Sequence, residues 1–408
     1  MKKPIHTVMN QFSVQDNSLI VGGMSIKDLA IKMGRTPFYA YDKQVIAQKV
    51  ETFKKFIPSR IKLHYAIKAN PMPDVVQFLS GLVDGFDLAS LGEMNVALDT
   101  SMPSEKISFA GPGKRQEELN ASIMAGVTIN IESSHELTRI IAGAETIGKK
   151  PRVAIRVNPD FELKSSGMKM GGGPKQFGID TEIVPEVLKD IGKLDVEFMG
   201  FHIFSGSQNL SAEAIIEAHN KTLDLAVRLS EHAPSVVKKL NIGGGFGIPY
   251  FPGESHLDLA PIGKNLETIL PKLDESIPGV DVIIELGRYL VGESGVYVCQ
   301  IIEKKISRGE TFLIVDGGLH HHLAASGNFG QVIRKNYPVA IGNKIQGKNE
   351  TVSIVGPLCT PLDILGSKMD LPKAEAGDFV VIFQSGAYGY TASPHAFLSH
   401  PPPLQILV

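Results

Sequence analysis

Lys68 closes the run Leu63-His64-Tyr65-Ala66-Ile67 and is followed by Ala69-Asn70. An amine that ends an apolar strand and points into a partly dry mouth has a lowered pKa and becomes a nucleophile or Schiff-base former. The plainer reading is a strand-end lysine that snorkels to water. Gly243-Gly244-Gly245-Phe246-Gly247 presents backbone N–H groups that no side chain screens, and several of them can hold one anion. Glycines in a row more often mark a turn. Pro249 and Pro252 stand where a nucleotide loop would open a helix, so a Walker-type site is not expected. In Glu285-Leu286-Gly287-Arg288, Arg288 could be a second positive group for the anion or half of a structural ion pair.

What these residues can do depends on the elements that carry them. Between residues 60 and 290, short β-branched runs alternate with longer amphipathic stretches, the pattern of βα units around a parallel sheet. Strands are expected at 62–67, 85–89, 107–110, 128–132, 152–157, 199–204, 240–242 and 282–285, with helices such as 73–82, 116–125, 134–144 and 212–232. Eight strands in a stretch of this size make an α/β chain with a (β/α)8 TIM-like barrel. Chemistry in such a barrel lies at the C-terminal strand ends, and the loops after strands seven and eight often bind phosphate. Lys68, Asp87, Ser90, Glu93, Arg156, Asn158, His202, Ser205, Ser207, Gln208, the glycine run, Glu285 and Arg288 all fall there. A phosphate loop, a Schiff-base lysine and a carboxylate at strand eight form together the constellation that suits pyridoxal 5'-phosphate, whose ring-nitrogen partner sets its electronics.

After Gly287 the sequence becomes β-rich, with strands expected at 296–305, 311–316, 351–355 and 379–384. The expected division is a barrel over 36–280 and a C-terminal β domain from 1–35 and 281–408, with Leu19-Ile20-Val21 as an edge strand. The 41 basic and 43 acidic residues nearly cancel, which leaves no electrostatic footprint for nucleic acid or an anionic membrane. Two cysteines, Cys299 and Cys359, make neither a disulfide framework nor a zinc site. The amino terminus lacks the apolar core of a signal peptide, and a cytoplasmic location is expected. His320, His321 and His322 raise the thought of a metal hydrolase. Adjacent strand residues face opposite ways, however, so at most two could share an ion, and no metal is expected.

Seven segments in order resemble the fold-type III pyridoxal-phosphate decarboxylases, the group of ornithine, arginine and diaminopimelate decarboxylases. They are Tyr65 to Asn70, Phe86-Asp87-Leu88-Ala89-Ser90 with Glu93, Gly200-Phe201-His202 on to Gln208, the glycine run, Glu285 to Arg288, Gly356-Pro357-Leu358-Cys359-Thr360-Pro361-Leu362-Asp363, and Gly386-Ala387-Tyr388-Gly389. The resemblance implies an alanine-racemase-like barrel plus a β domain, assembled as a homodimer with shared sites. It implies that Lys68 forms the internal aldimine, that His202 stacks on the cofactor ring and that Glu285 keeps the pyridine nitrogen protonated. Ser205, Gly244, Gly245, Arg288 and Tyr388 would surround the phosphate, and Asp87, Glu93 and Arg156 would line the pocket. Cys359, Asp363 and Tyr388 would come from the partner subunit, with Cys359 as the acid that protonates carbon.

Two departures bear on substrate. Leu286 replaces the family's proline between the two charges, which changes only the turn. Thr360 stands where ornithine and diaminopimelate decarboxylases carry an acid for the substrate's distal ammonium, and a threonine cannot balance a buried cation. The histidine segment with His321, and Ser393-Pro394-His395 on to His400-Pro401, look like a subgroup of secondary-metabolite and exopolysaccharide (exosortase-associated) clusters. Some of its members decarboxylate an amino acid tethered to an acyl carrier protein. The expected activity is α-decarboxylation of an amino acid or amino-acyl conjugate. Diaminopimelate decarboxylation is the alternative, and a racemase on the same barrel is disfavoured by Glu285 and Cys359, since racemases pair the ring nitrogen with arginine.

Overall fold

The computed structural model describes residues 4–162, 168, 169 and 171–408. Eight parallel strands form the barrel: β1 Lys62–Ala66, β2 Gly85–Leu88, β3 Ile107–Phe109, β4 Thr128–Ile131, β5 Arg152–Asn158, β6 Glu197–Ile203, β7 Lys239–Gly244 and β8 Asp281–Leu286. Each pairs with the next, β8 pairs with β1, and the β4–β5 pairing completes the ring. Strands buried on both faces read as continuous apolar runs, as in Val282-Ile283-Ile284 of β8, all of them buried. Outside them, helix Ala212–Ser230 buries Ile215, Ala218, Thr222, Leu225 and Leu229, one stripe at helical spacing.

Register sets the site. Arg156 is level with His202, His202 with Asn241, Gly244 with Glu285, and Glu285 with His64. Polar residues from four adjacent strands and from β1 are therefore stacked in the barrel by pairing alone.

The chain divides into two compact units, 50–247 with 257–287, and 1–49 with 248–256 and 288–408. Relative to the division expected from sequence, 36–49 and 248–256 go with the β-rich unit, and 281–287, which contain β8, go with the barrel. In the β-rich unit an eight-stranded sheet is built around the long strand Gly295–Ser307. Phe38–Tyr41 pairs with that strand on one side and with Leu404–Leu407 on the other. Ser18–Val21 is not an edge of this sheet. It sits in its own three-stranded sheet with Ser13–Gln15 and Met24–Ser25, and Leu19 and Val21 join Phe38, Val296 and Val381 in one apolar cluster. The histidines at 320–322 are not a strand either: the N–H groups of His321 and His322 both donate to Gly318 O, a turn.

Candidate active site

Glu285, at the end of β8, is 5% exposed and is the most contested group in the barrel. Its Oε1 lies 3.5 Å from Lys68 Nζ, and its Oε2 accepts from His202 Nε2 at 3.0 Å and from Asn241 Nδ2 at 3.3 Å. Burial alone would raise its pKa, but the Lys68 charge, the His202 bond and the Arg156 charge hold it well below the usual carboxylate range. The carboxylate is therefore anionic at neutral pH, which makes His202 Nε2 the donor. His202 Nδ1 is buried and has no partner among the described residues. Lys68 sits on a short 3-10 turn, Ile67–Ala69, directly after β1, with its side chain half exposed.

Arg156 is braced by Glu132, which accepts from its NH1 at 2.9 Å and also from the N–H groups of Gly111 and Gly178. Asp87 accepts from Ser108 Oγ and is bonded to His64 Nδ1 at 3.1 Å, so neighbouring strands occupy its carboxylate. Glu93 reaches back to Ala89 N at 2.7 Å while Ser90 Oγ accepts from Glu93 N, a reciprocal cap of helix Leu91–Leu98. Burial raises the Glu93 pKa, and the nearby Lys68 charge pulls it back.

The glycine run leaves β7 with Gly243 and Gly245 at φ +72° and +73°. A Cβ on Gly244 would meet Glu285 O at 2.0 Å, and one on Gly245 would meet Gly206 O at 2.2 Å, so the loop can be built only from glycine. Ser205, 8% exposed, lies beside it. In the β-rich unit, Arg288 NH1 donates to Tyr250 Oη at 2.8 Å and its guanidinium lies 4.7 Å from the centre of the Tyr388 ring. Burial opposes the charge of Arg288, but the surrounding tyrosine oxygens push its pKa up.

Three residues expected to contribute to the site from the partner subunit or to touch substrate have partners within the chain. Tyr388 packs on Arg288 of its own chain. Asp363 is 2% exposed and accepts from Leu319 N at 2.6 Å and Leu358 N at 2.9 Å, which makes it a bracket between two loops. His321 is 1% exposed, with Nε2 bonded to Pro401 O at 3.0 Å and Nδ1 to Tyr297 Oη at 3.3 Å. Cys359 is exposed, and the neighbouring Thr360 hydroxyl accepts from Leu362 N. Sequence reading passed over Asn241 and Glu132. A lone amide inside Leu240-Asn241-Ile242, and an acid ending the 128–132 run, were the available signals. Among the described residues no group of three His, Cys, Asp or Glu side chains could hold a metal ion, and no helix is long and apolar enough to cross a membrane.

The residues fit pyridoxal phosphate. They provide an amine for its aldehyde, a buried anion for its ring nitrogen, a histidine with one nitrogen unclaimed, and a loop that only glycine can form and whose N–H groups suit a phosphate. The comparisons agree. Residues 43–292 match the family model described as the pyridoxal binding domain of pyridoxal-dependent decarboxylases. The chain belongs to that family, the fold-type III pyridoxal-phosphate-dependent carboxy-lyases. It is 39% identical over 383 residues to an L-glutamyl-[BtrI acyl-carrier protein] decarboxylase of Niallia circulans, covering 92% of this chain and 89% of the relative. It is 32% identical over 385 residues to a diaminopimelate decarboxylase of Aquifex aeolicus, covering 93% and 88%. Among solved structures, a diaminopimelate decarboxylase of Methanocaldococcus jannaschii in complex with L-lysine superposes with a TM-score of 0.87 at 26% identity, over 98% of this chain and 94% of that one.

Proposed function

We propose that the protein removes the α-carboxyl group of an amino acid or amino-acyl conjugate whose distal end is neutral or tethered to a carrier protein. The observation that carries the chemistry is the anionic Glu285 held opposite Lys68. When bound, pyridoxal phosphate supplies an electron sink for the pair left behind as carbon dioxide departs. Lys68 would anchor the cofactor's aldehyde. Glu285 would hold a proton on the pyridine nitrogen, and His202 and Asn241 fix the carboxylate that would do so. Ser205, Gly244 and Gly245 would hold the phosphate, a role the resemblance also assigns to Arg288 and Tyr388, and Arg156 keeps positive potential beside Glu285. Cys359, an exposed thiol, would deliver a proton to the substrate carbon from a second copy of the chain, so that the working form is a homodimer.

The substrate reading rests on Thr360 and is supported by the relative that acts on a glutamyl carrier protein. The relatives named diaminopimelate decarboxylase keep that free diamino acid as the second reading. Carbon dioxide release from diaminopimelate, ornithine, lysine, arginine and glutamate, each free, and from glutamyl carrier protein tests both. Turnover of the tethered substrate far above all free amino acids is expected. A kcat/KM near ~10⁴ M⁻¹s⁻¹ or above for a free diamino acid would overturn the reading.

A further inference from the structure

We propose that His219, on an outer helix of the barrel, is a positioning residue for the phosphate end of the cofactor, acting through one buried water that braces the glycine loop from behind. Helix Ala212–Ser230 is fixed at its start by Ser211 Oγ, which accepts from Ala214 N at 3.2 Å. Two turns on, His219 points inward and is 1% exposed, its ring 6.3 Å from that of Phe246, the aromatic residue inside the glycine run. Neither Nδ1 nor Nε2 has a partner among the described residues. His219 lines a cavity of about 10 Å³, whose other walls include Ser205, Gly206, Asn209, Gly244 and Gly245.

The size decides the occupant. One water needs a cavity of about 10–15 Å³ and about three polar partners, and a phosphate is several times too large. The backbone of 205–209 and of the glycine loop supplies the partners on one side and the imidazole supplies them on the other. Burial pulls the His219 pKa down to about 4, so at neutral pH the ring offers one donor and one acceptor and adds no charge behind the phosphate. A ring buried with both nitrogens unbonded is costly, whereas a bridging water satisfies it and ties helix Ala212–Ser230 to the loop. Asn209 N donates to Gly245 O at 2.9 Å and Gly247 N to Asn209 O at 2.8 Å, so the two loop segments already move as one piece and the brace acts on both.

The inference rests on the family's cofactor, and its test separates the two. Cofactor-free native protein and the variants His219→Leu and His219→Gln are titrated with pyridoxal phosphate, and with pyridoxal, which has the same ring and aldehyde but no phosphate. Thermal melts check folding. Native protein that fails to bind pyridoxal phosphate would refute the cofactor reading itself. With that binding established, His219→Leu should bind pyridoxal phosphate about 5- to 10-fold more weakly, with pyridoxal affinity unchanged, and His219→Gln, which keeps a donor and an acceptor, should recover most of the loss. Equal weakening for both ligands, or none, would reduce His219 to a packing residue and overturn the proposal. Should His219→Leu not fold, a high-resolution crystal structure of native holoprotein decides: density for a water within hydrogen-bonding distance of the ring supports the proposal, and a dry cavity overturns it.

Discussion

Glu285 Oε1 lies 3.5 Å from Lys68 Nζ while its Oε2 is held by His202 at 3.0 Å. One carboxylate thus faces the anchoring amine with one oxygen and is clamped by the barrel with the other, which keeps it both charged and aimed. Such a preorganised charge matters most where charge develops in the reaction. Glu285→Gln preserves shape and one of the two acceptor oxygens and removes the charge. It should still take up cofactor but lose roughly 100-fold or more in single-turnover carbon dioxide release, by analogy with loss of one preorganised donor. Release at the native rate from a cofactor-saturated variant would remove Glu285 from the electron-sink role.

The barrel was legible because its strands are continuous apolar runs broken by turns, and because polar residues at their ends stand out against that background. Lys68, Arg156, His202 and Glu285 could be picked out on those grounds, and strand register brings them level. The β-rich unit was less legible. Phe38–Tyr41 pairs with strands beginning at Gly295 and Leu404, and no local pattern announces a partner so distant in sequence. Ile364–Pro372 mixes Gly, Lys, Asp and Pro, which hid a nine-residue strand. Asp363 and Tyr388 came from the family resemblance, which carries no information on the loop N–H groups that Asp363 accepts or on the packing of Tyr388 against Arg288. Asn241 carries no strand-end signal, because its amide reaches Glu285 from inside β7.

Asp363 is the bracket whose removal should be felt in stability. Its carboxylate accepts the N–H groups of Leu319 and Leu358, and burial leaves water little access to either. Asp363→Ala strands two buried donors at about 1–3 kcal/mol each, so a loss of about 2–6 kcal/mol is expected in urea unfolding, with Asp363→Asn intermediate. A change under about 0.5 kcal/mol for the alanine variant would show that the loops hold without the bracket.

Acid stability should depend on His322. It is fully buried, Nδ1 accepts from Ala325 N at 3.2 Å, and Nε2 is bonded to Ser385 Oγ at 2.9 Å. Burial lowers its pKa from 6.5 to about 3. The unfolded chain therefore takes up this proton near pH 6.5 while the folded one refuses it until about pH 3. The stability contribution is complete above pH 6.5 and is lost as pH falls, at up to about 1.4 kcal/mol per pH unit. Unfolding free energies at pH 7, 6 and 5 should decline with a shallower slope in His322→Gln, by about one proton's worth. Parallel slopes for the variant and the native protein would contradict a neutral, buried His322.

Lys68 belongs to the barrel and Cys359 to the β-rich unit, and the exposed position of Cys359 leaves its thiol open to a second copy of the chain. If the thiol serves the partner's lysine, then Lys68→Ala and Cys359→Ala each inactivate both sites of a homodimer. A heterodimer of the two places both lesions in one site and leaves the other intact. Random exchange puts half of the chains into heterodimers, each with one working site of two, so mixing two inactive proteins should restore roughly a quarter of native activity. The placement of Tyr388 against Arg288 in the same chain predicts a contrasting result. Tyr388→Ala joins Lys68→Ala on the same side of the complementation, so mixing those two variants should leave heterodimers with neither site whole and restore nothing. Exchange is verified by mass spectrometry of differently tagged chains. Recovery in the second mixture, or none in the first once exchange is demonstrated, would mean that the thiol and the tyrosine are not divided between subunits in this way.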